Sequence, residues 1–491
     1  MAKNQQQGAY NMIIGRQKEC QKLDELYFSG KAELVAVYGR RRVGKTFLIG
    51  EHFKGKITFT HAGLSPMEIR EMTGPTPLRK QLKHFYNSLI LHGMKKSRCP
   101  DNWLDAFLML ELFLKNLEDG NRQIVFLDEL PWMDTQKSGF LTAFEAFWNT
   151  WGCHQSHLMV IVCGSATFWM LNKLINSHGG LYTRLSCRIR LHPFSLAECE
   201  SLLQSQNILL SRYDIVQACM AVGGIPYYLS CFSPGLSLAQ NMDHLFFEKD
   251  APFRDEYARL FSSIFSKPEE MKEIIEFLST RNSGYTRNEI AAHTKFSSGG
   301  ALTDALNSLI ESDFIIKYQP FGISGREEHY KLIDPFCQFY LKFVAEREAL
   351  DDTFWLGNLA SQDVVAWRGI AFENVCFNHI QQIKNALGIS GVSTKQSAWS
   401  KRKDDTEGTQ IDLLIIRNDN VVNMCEIKFM NADFTVTGSY ERTLRNRQVL
   451  LETALKKGFV IHQTLITTYG LKRNQYSSIF SNVITLTDLF S

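Results

Sequence analysis

Gly39, Gly44, Lys45 and Thr46 stand in the stretch ELVAVYGRRRVGKTFLI at the spacing of a phosphate-binding loop: glycine, four variable residues, then glycine, lysine and threonine. Each type has a task there. The glycines let backbone N–H groups wrap phosphate oxygens, Lys45 reaches the β and γ oxygens, and the Thr46 hydroxyl ligates Mg²⁺. Phe47 follows directly and is counted with the nucleotide-binding residues. Asp128 and Glu129 end the apolar run in RQIVFLDELPWM. Asp128 is placed to hold the magnesium through water, and Glu129 to orient and deprotonate the attacking water, which raises the expectation from binding to hydrolysis. Ser165 ends a third run, LMVIVCGSA, where a neighbouring parallel strand sets a polar side chain beside the γ-phosphate. Further on, Arg184 in GGLYTRLSCRIRLHPFS is the candidate for an arginine that neutralises the transition state, within the chain or from a neighbouring subunit. Arg188 and Arg190 alternate as on the outside of an edge strand.

A second set of chemistry-bearing residues lies far along the chain. VVNMCEIKFMN reads as a strand with Met424, Glu426 and Lys428 on one side and Cys425, Ile427 and Phe429 on the other. Upstream, TQIDLLIIR is a second apolar run, and Asn418, Asp419 and Asn420 between them are turn residues, so a hairpin is expected. Counting back from a three-residue loop places Asp412 opposite Glu426. Two carboxylates paired there repel unless a cation compensates, so Asp412 and Glu426 are expected to share Mg²⁺ or Mn²⁺, with Lys428 aimed at a hydroxide or at charge developing on phosphorus. Glu373, on the helix WRGIAFENVCFNHIQQI, is the expected fourth member.

The elements that must carry these residues follow from the same pattern. Apolar strands separated by helical stretches imply a doubly wound parallel sheet with its ligand at the strands' carboxyl ends. The expected architecture is α/β throughout. Residues 1–260 form a P-loop ATPase domain with a helical lid, 261–350 a winged-helix-like domain, and 351–491 a restriction-endonuclease-like α/β domain. In the middle region three amphipathic helices and a hairpin follow the helix-turn-helix plan, yet residues 297–313 contain no Lys or Arg. Phosphate contacts dominate DNA affinity, so this segment is expected to pack or relay a signal rather than read sequence.

IIGRQKEC, the phosphate-binding loop, LDELPW, GSA, LYTRLSCRIRLHPF and GGIPYYL together resemble the archaeal-type ATPase family of the AAA+/STAND P-loop group, over residues 13–228. The resemblance implies ATP rather than GTP and a role for Gly15 and Arg16 in framing the adenine pocket. Glu373, Asp412 and the Glu426-Ile427-Lys428 strand resemble the PD-(D/E)XK nuclease superfamily over residues 366–468. That implies Glu373, Asp412, Glu426 and Lys428 as the catalytic set, and Arg445 and Gln448 on the next helix as phosphate or metal-water contacts.

Composition sets the outer bounds. The chain has 491 residues, 44% hydrophobic and 21% charged, as in an ordinary globular protein of about three domains. Eleven cysteines without a C-x-x-C pair, no secretory leader and no membrane-length apolar run lead us to expect reduced thiols in a cytoplasm. The net charge of +3 lies in residues 361–491, with 15 Lys+Arg against 12 Asp+Glu, too weak by itself to indicate nucleic acid. The expected function is an ATPase coupled to a Mg²⁺-dependent DNA endonuclease-like domain, with DNA, a protein partner or further copies of the chain as partners. The alternative is a nucleotide-switched regulatory or scaffold protein whose nuclease fold binds nucleic acid or a partner without cutting. A transcription factor is disfavoured by the acidic reading helix.

Overall fold

The computed structural model describes residues 13–74, 76–117, 120–175, 183–296, 299–319, 321, 328–345, 351–401, 409–455 and 458–491. The chain divides into two compact units. One comprises Met1–Pro193, Ala258–Met271 and Asn307–Ser312, the other Phe194–Tyr257, Lys272–Leu306 and Asp313–Ser491.

In the first unit the apolar runs pair into an all-parallel sheet of β1 (Glu33–Tyr38), β2 (Ile57–Ala62), β3 (Gln123–Asp128), β4 (Leu158–Gly164) and β5 (Cys187–Arg190), in the order β2-β3-β4-β1-β5. β3 and β4 are buried along their whole length, which is why they read as continuous apolar runs rather than alternating ones. Phe85, Leu89, Trp103, Phe107, Leu110 and Phe144, from helices Pro77–Leu91, Trp103–Asn116 and Phe140–Thr150, share one core with Val125 and Val160 of the sheet. Each such side chain contributes on the order of 1.5–3 kcal/mol by leaving water. The register pairs Asp128 with Ala62 and Gly164 with Tyr38, so the residues that follow β1, β3 and β4 emerge along one carboxyl edge. β5 is the edge strand, as the alternating Arg188 and Arg190 imply, and Arg188 is exposed.

In the second unit β6 (Tyr285–Thr286), β7 (Ile315–Tyr318) and β8 (His329–Leu332) form a three-stranded antiparallel sheet in the order β6-β8-β7. Thr286 caps the helix Arg287–His293 through a capping box with Glu289, and those bonds, with Arg281 at 2.9 Å, outweigh burial and hold the Glu289 carboxyl down at about 2.

The C-terminal sheet is mixed. β9 (Thr394–Lys401), β10 (Thr409–Arg417) and β11 (Val421–Lys428) run antiparallel, while β12 (Val460–Thr467) and β13 (Asn482–Ile484) continue parallel to β11, in the order β13-β12-β11-β10-β9. The β10–β11 hairpin turns at Asn418, Asp419 and Asn420, the last with φ 64°, a conformation asparagine tolerates better than most residues. Its register pairs Ile416 with Val422 and Leu413 with Cys425. All eleven cysteines are free thiols, and among the described residues no helix is long and apolar enough to cross a membrane.

Candidate functional site

The loop between β1 and helix α1 (Lys45–His52) depends on two glycines. Gly39 has φ 141°, and a Cβ there would lie 2.3 Å from the Leu191 carbonyl oxygen, so no other residue fits without moving backbone. Gly44, at φ 89°, is the left-handed residue that turns the chain into α1. The Lys45 ammonium is buried and donates to the Gly39 and Arg40 carbonyls, each at 2.9 Å, and to Ser165 Oγ at 3.0 Å. Thr46 Oγ1 donates to Asp128 Oδ2 at 2.7 Å. Phe47, one residue on, is exposed.

Asp128 and Glu129 divide their work through the backbone. Asp128 closes β3, and its other oxygen accepts the Glu129 N–H at 2.9 Å. Glu129 sits at φ 46°, ψ 49°, a left-handed conformation that costs a non-glycine residue about 1–2 kcal/mol, and the short helix α2 (Leu130–Met133) starts from it. Ser165 grips its carboxylate twice, donating from Oγ to Oε1 at 2.6 Å and from N–H to Oε2 at 3.1 Å. One continuous chain of hydrogen bonds thus runs from Lys45 through Ser165 to Glu129, beside the Thr46–Asp128 pair. A hydroxyl and a carboxylate in contact next to a phosphate loop form a hard-oxygen donor set that suits Mg²⁺.

The remaining candidates of this unit lie around that centre. Gly15 and Arg16 are buried with φ 63° and 65°, and the Arg16 guanidinium donates to the Val43 carbonyl at 3.2 Å and the His192 carbonyl at 2.7 Å. Arg16 therefore ties the loop to the segment after β5. Arg184 is exposed in the turn before β5.

On the C-terminal sheet the hairpin brings Glu426 and Lys428 into an ion pair at 2.7 Å. Helix α3 (Gln362–Asn378) precedes this sheet in the chain, and two partners of Glu426 come from helix α4 (Gly438–Ala454), which follows β11. Tyr440 donates its hydroxyl to Glu426 Oε1, and Arg447 Nη1 donates to Oε2 at 2.9 Å. Both oxygens of this buried carboxylate are engaged. Burial works against the Lys428 ammonium, but the Glu426 carboxylate and Tyr440 hydroxyl hold its pKa above the usual lysine range; burial and the same carboxylate push Tyr440 up to about 12.

Arg445 and Gln448, which the resemblance implies as phosphate or metal-water contacts, are engaged within the protein. Arg445 pairs with Glu441 on its own helix at 2.7 Å, and Gln448 accepts from Gln463 at 2.7 Å. The residues that face Glu426 are Tyr440 and Arg447, and the signal for them was present in the sequence. Tyr440, Leu444, Arg447 and Leu451 stand at i, i+4, i+7 and i+11, one helix face, on which Leu444 and Leu451 are buried.

Glu373 lies on α3. It accepts from Asn282 Nδ2 at 3.1 Å, and its neighbour Phe372 packs on Phe429, the residue after β11. Asp412 precedes Leu413, the partner of Cys425 and the first residue of the β10–β11 register, at a point where β10 shifts its register against β9 between Ile411 and Leu414; its side chain lies outside the described residues. Among the described residues no group of three or more His, Cys, Asp or Glu could hold a metal ion.

Comparison with known proteins covers the first unit's sheet and extends into the second unit. Residues 13–232 match the model of an ATPase domain found predominantly in Archaea, which supports a nucleotide-binding, archaeal-type ATPase over that stretch. The uncharacterized protein MJECL04 of Methanocaldococcus jannaschii is 23% identical over 425 residues, covering 85% of this chain and 88% of its own. The ATP-binding protein MJ0423 of the same organism is 42% identical over 45 residues, 9% of this chain and 76% of its own. Among solved structures the chain is similar to the Walker-type ATPase PABY2304 of Pyrococcus abyssi, with 17% identity and a TM-score of 0.46 over 67% of this chain and 96% of that one. It is also similar to the Aeropyrum pernix ORC2 protein in its ADPNP–ADP complexes, with 11% identity and a TM-score of 0.39 over 75% and 95%.

Proposed function

We propose, from an archaeal-type ATPase domain as premise, that this chain hydrolyses ATP and that its nucleotide cycle governs a C-terminal, DNA-directed, nuclease-like domain. The observation that carries the first half is the hydrogen-bonded chain Lys45–Ser165–Glu129 beside the Thr46–Asp128 pair. Lys45 neutralises the β and γ oxygens of ATP. Thr46 and Asp128 would hold Mg²⁺, which when bound neutralises charge on the phosphate oxygens. Glu129 takes the proton of the attacking water, and Ser165 sets the direction in which that carboxylate points. Gly15, Arg16 and Phe47 border the nucleotide, and Arg184 supplies a positive charge to the transition state across a contact between copies of the chain.

For the C-terminal domain the cleaving reading is supported by the antiparallel β10–β11 hairpin, with Asp412 on one strand and Glu426 and Lys428 on the other. In that reading Asp412 and Glu426 would hold Mg²⁺ or Mn²⁺, Glu373 would complete the set, and Lys428 would steady charge on the phosphorus. A specific observation favours a second reading, in which the domain binds nucleic acid or a partner without cutting: Lys428 and Arg447 already neutralise Glu426. A plasmid and oligonucleotide assay with Mg²⁺ or Mn²⁺, with and without ATP, separates the two. The cleaving reading predicts cutting by the wild type that Asp412→Asn abolishes together with metal affinity, and Lys428→Ala abolishes with metal affinity intact. Oligonucleotide binding without cutting under every nucleotide condition leaves the second reading; neither binding nor cutting removes DNA from the account.

A further inference from the structure

Beyond the ends of β11 and β12 the C-terminal sheet carries a pile of aromatic rings. Lys428, the last residue of β11, pairs with Thr467, the last of β12, and Phe429 and Tyr469 follow them in the chain. Tyr213, from the helix Arg212–Val222, stacks on both rings: its centroid lies 4.8 Å from that of Phe429 at an interplanar angle of 17°, and 5.9 Å from that of Tyr469 at 21°. Phe429 packs in turn on Phe372 of α3 at 5.3 Å, and Phe372 is fully buried. The pile therefore starts in the core and ends at the surface, where Tyr469 is 48% exposed. A ring anchored in this way presents a flat apolar surface that needs no further ordering to bind.

Positive charge follows on the same loop. Lys472 and Arg473 are exposed and, by chain length alone, stand at most roughly 10–14 Å from Tyr469. The course of the loop is fixed by a bridge between Leu471 and Phe434: the Phe434 N–H donates to the Gly470 carbonyl and the Lys472 N–H to the Phe434 carbonyl, each at 2.8 Å. Phe434 also meets the ring of Tyr440, the partner of Glu426, at 5.7 Å. A Cβ at Gly470 would stand 3.1 Å from Asp433 Oδ1, so one carboxylate lies beside the two cations and leaves the loop positive.

Unpaired bases stack on exposed aromatic rings while nearby cations follow the phosphates, and a duplex hides the base faces that such a ring needs. We propose that Tyr469, with Lys472 and Arg473, is a platform for single-stranded DNA: a base stacks on the Tyr469 ring, and the neighbouring phosphates meet the two cations. This rests on the DNA-directed reading of the C-terminal domain and narrows its substrate class to DNA with unpaired bases. The platform stands at the strand ends that also carry Lys428, so it serves the cleaving and the non-cleaving reading alike.

The test is fluorescence anisotropy on the full chain in chelator, with and without ATP, so that binding is read apart from cutting. The probes are a labelled DNA strand of mixed sequence that cannot pair with itself, and the blunt duplex made with its complement. The single strand is expected to bind at least about tenfold more tightly than the duplex. Tyr469→Ala and Tyr469→Leu, the latter keeping apolar bulk without a ring, should each weaken single-strand binding on the order of tenfold, while Tyr469→Phe stays within about twofold of the wild type and all three keep the melting temperature. Replacing Lys472 and Arg473 together by Ala should make the slope of log affinity against log salt shallower by about 1.4 for the single strand. An unchanged slope overturns the role of the two cations. Equal affinity for the two probes, or single-strand binding that Tyr469→Leu leaves unchanged, overturns the platform and leaves the DNA-directed reading standing. No binding of either probe overturns both.

Discussion

A carboxylate that must take a proton from water is useful only when aimed, and in this chain the aim of Glu129 is set by Ser165 through two hydrogen bonds. The sequence made both residues visible, because each ends an apolar strand, but it could not show that they hold each other, since 36 residues separate them and only the parallel register of β3 and β4 brings them together. A second residue of this unit, His61, is instructive for the opposite reason. It carries no chemistry in this account, is 2% exposed, and has its Nδ1 2.9 Å from Ser88 Oγ. Burial, reinforced by His84 and His92, pulls its pKa down to about 3. The fold therefore holds His61 neutral while the unfolded chain protonates it near 6.5. Its contribution is complete above that pH and is lost as pH falls toward about 3, at about 1.4 kcal/mol per pH unit. We expect His61→Leu to remove one proton's worth of slope, about 1.4 kcal/mol per pH unit, from urea-unfolding stability between pH 6 and 4. An unchanged slope in that variant would show that His61 is protonated in the native state as readily as in the unfolded one.

At the scale of elements, the β10–β11 hairpin and the helix α4 show what a pattern can and cannot reveal. The hairpin was legible because its turn residues and its two alternating runs fix the register jointly, and one residue of slippage would have turned Glu426 into the core. The helix is legible as a helix, but which of its polar residues reach Glu426 is not: the buried leucines Leu444 and Leu451 turn Tyr440 and Arg447 toward it, while Gln448 meets Gln463 of β12 and Arg445 pairs with Glu441. The energetic consequence is a buried carboxylate held by two cations from two elements. Removing one cation leaves Glu426 undercompensated, so Arg447→Met is expected to destabilise the chain by about 1–3 kcal/mol in denaturant unfolding. Adding Glu426→Gln to that variant should recover part of the loss, because the uncompensated charge is gone. Strict additivity of the two changes would mean that Arg447 and Glu426 do not interact in solution.

For the whole molecule, the sequence conveyed two chemistries more readily than it conveyed their relation. Local signals sufficed for β1, β3 and β4, each a continuous buried run that leads into a chemical residue, whereas β2 and β5 are partly exposed and carry no such run. They did not suffice for Glu373, whose partner Asn282 is 91 residues away on a different element. Assembly is the other property of the whole chain that motifs leave open. Arg184 is exposed before β5, and an arginine that enters a neighbour's active site contributes on the order of 10³-fold or more to turnover. We expect Arg184→Ala and Lys45→Ala proteins, each nearly inactive, to regain part of the wild-type ATPase rate when mixed. No recovery in a mixture shown by light scattering to be assembled would place Arg184 outside the neighbour's site.

The central claim is that Glu129 drives ATP hydrolysis from the position Ser165 gives it, and the most direct measurement is ATP binding and turnover by the wild type and Glu129→Gln in Mg²⁺. The substitution keeps the shape and hydrogen-bonding reach of the side chain and removes its ability to take a proton. Wild-type protein should hydrolyse ATP, and Glu129→Gln should bind it with unchanged affinity and turn over on the order of 10²-fold or more slowly. Equal rates in the two proteins, or tight ATP binding with no hydrolysis by the wild type, would contradict the account.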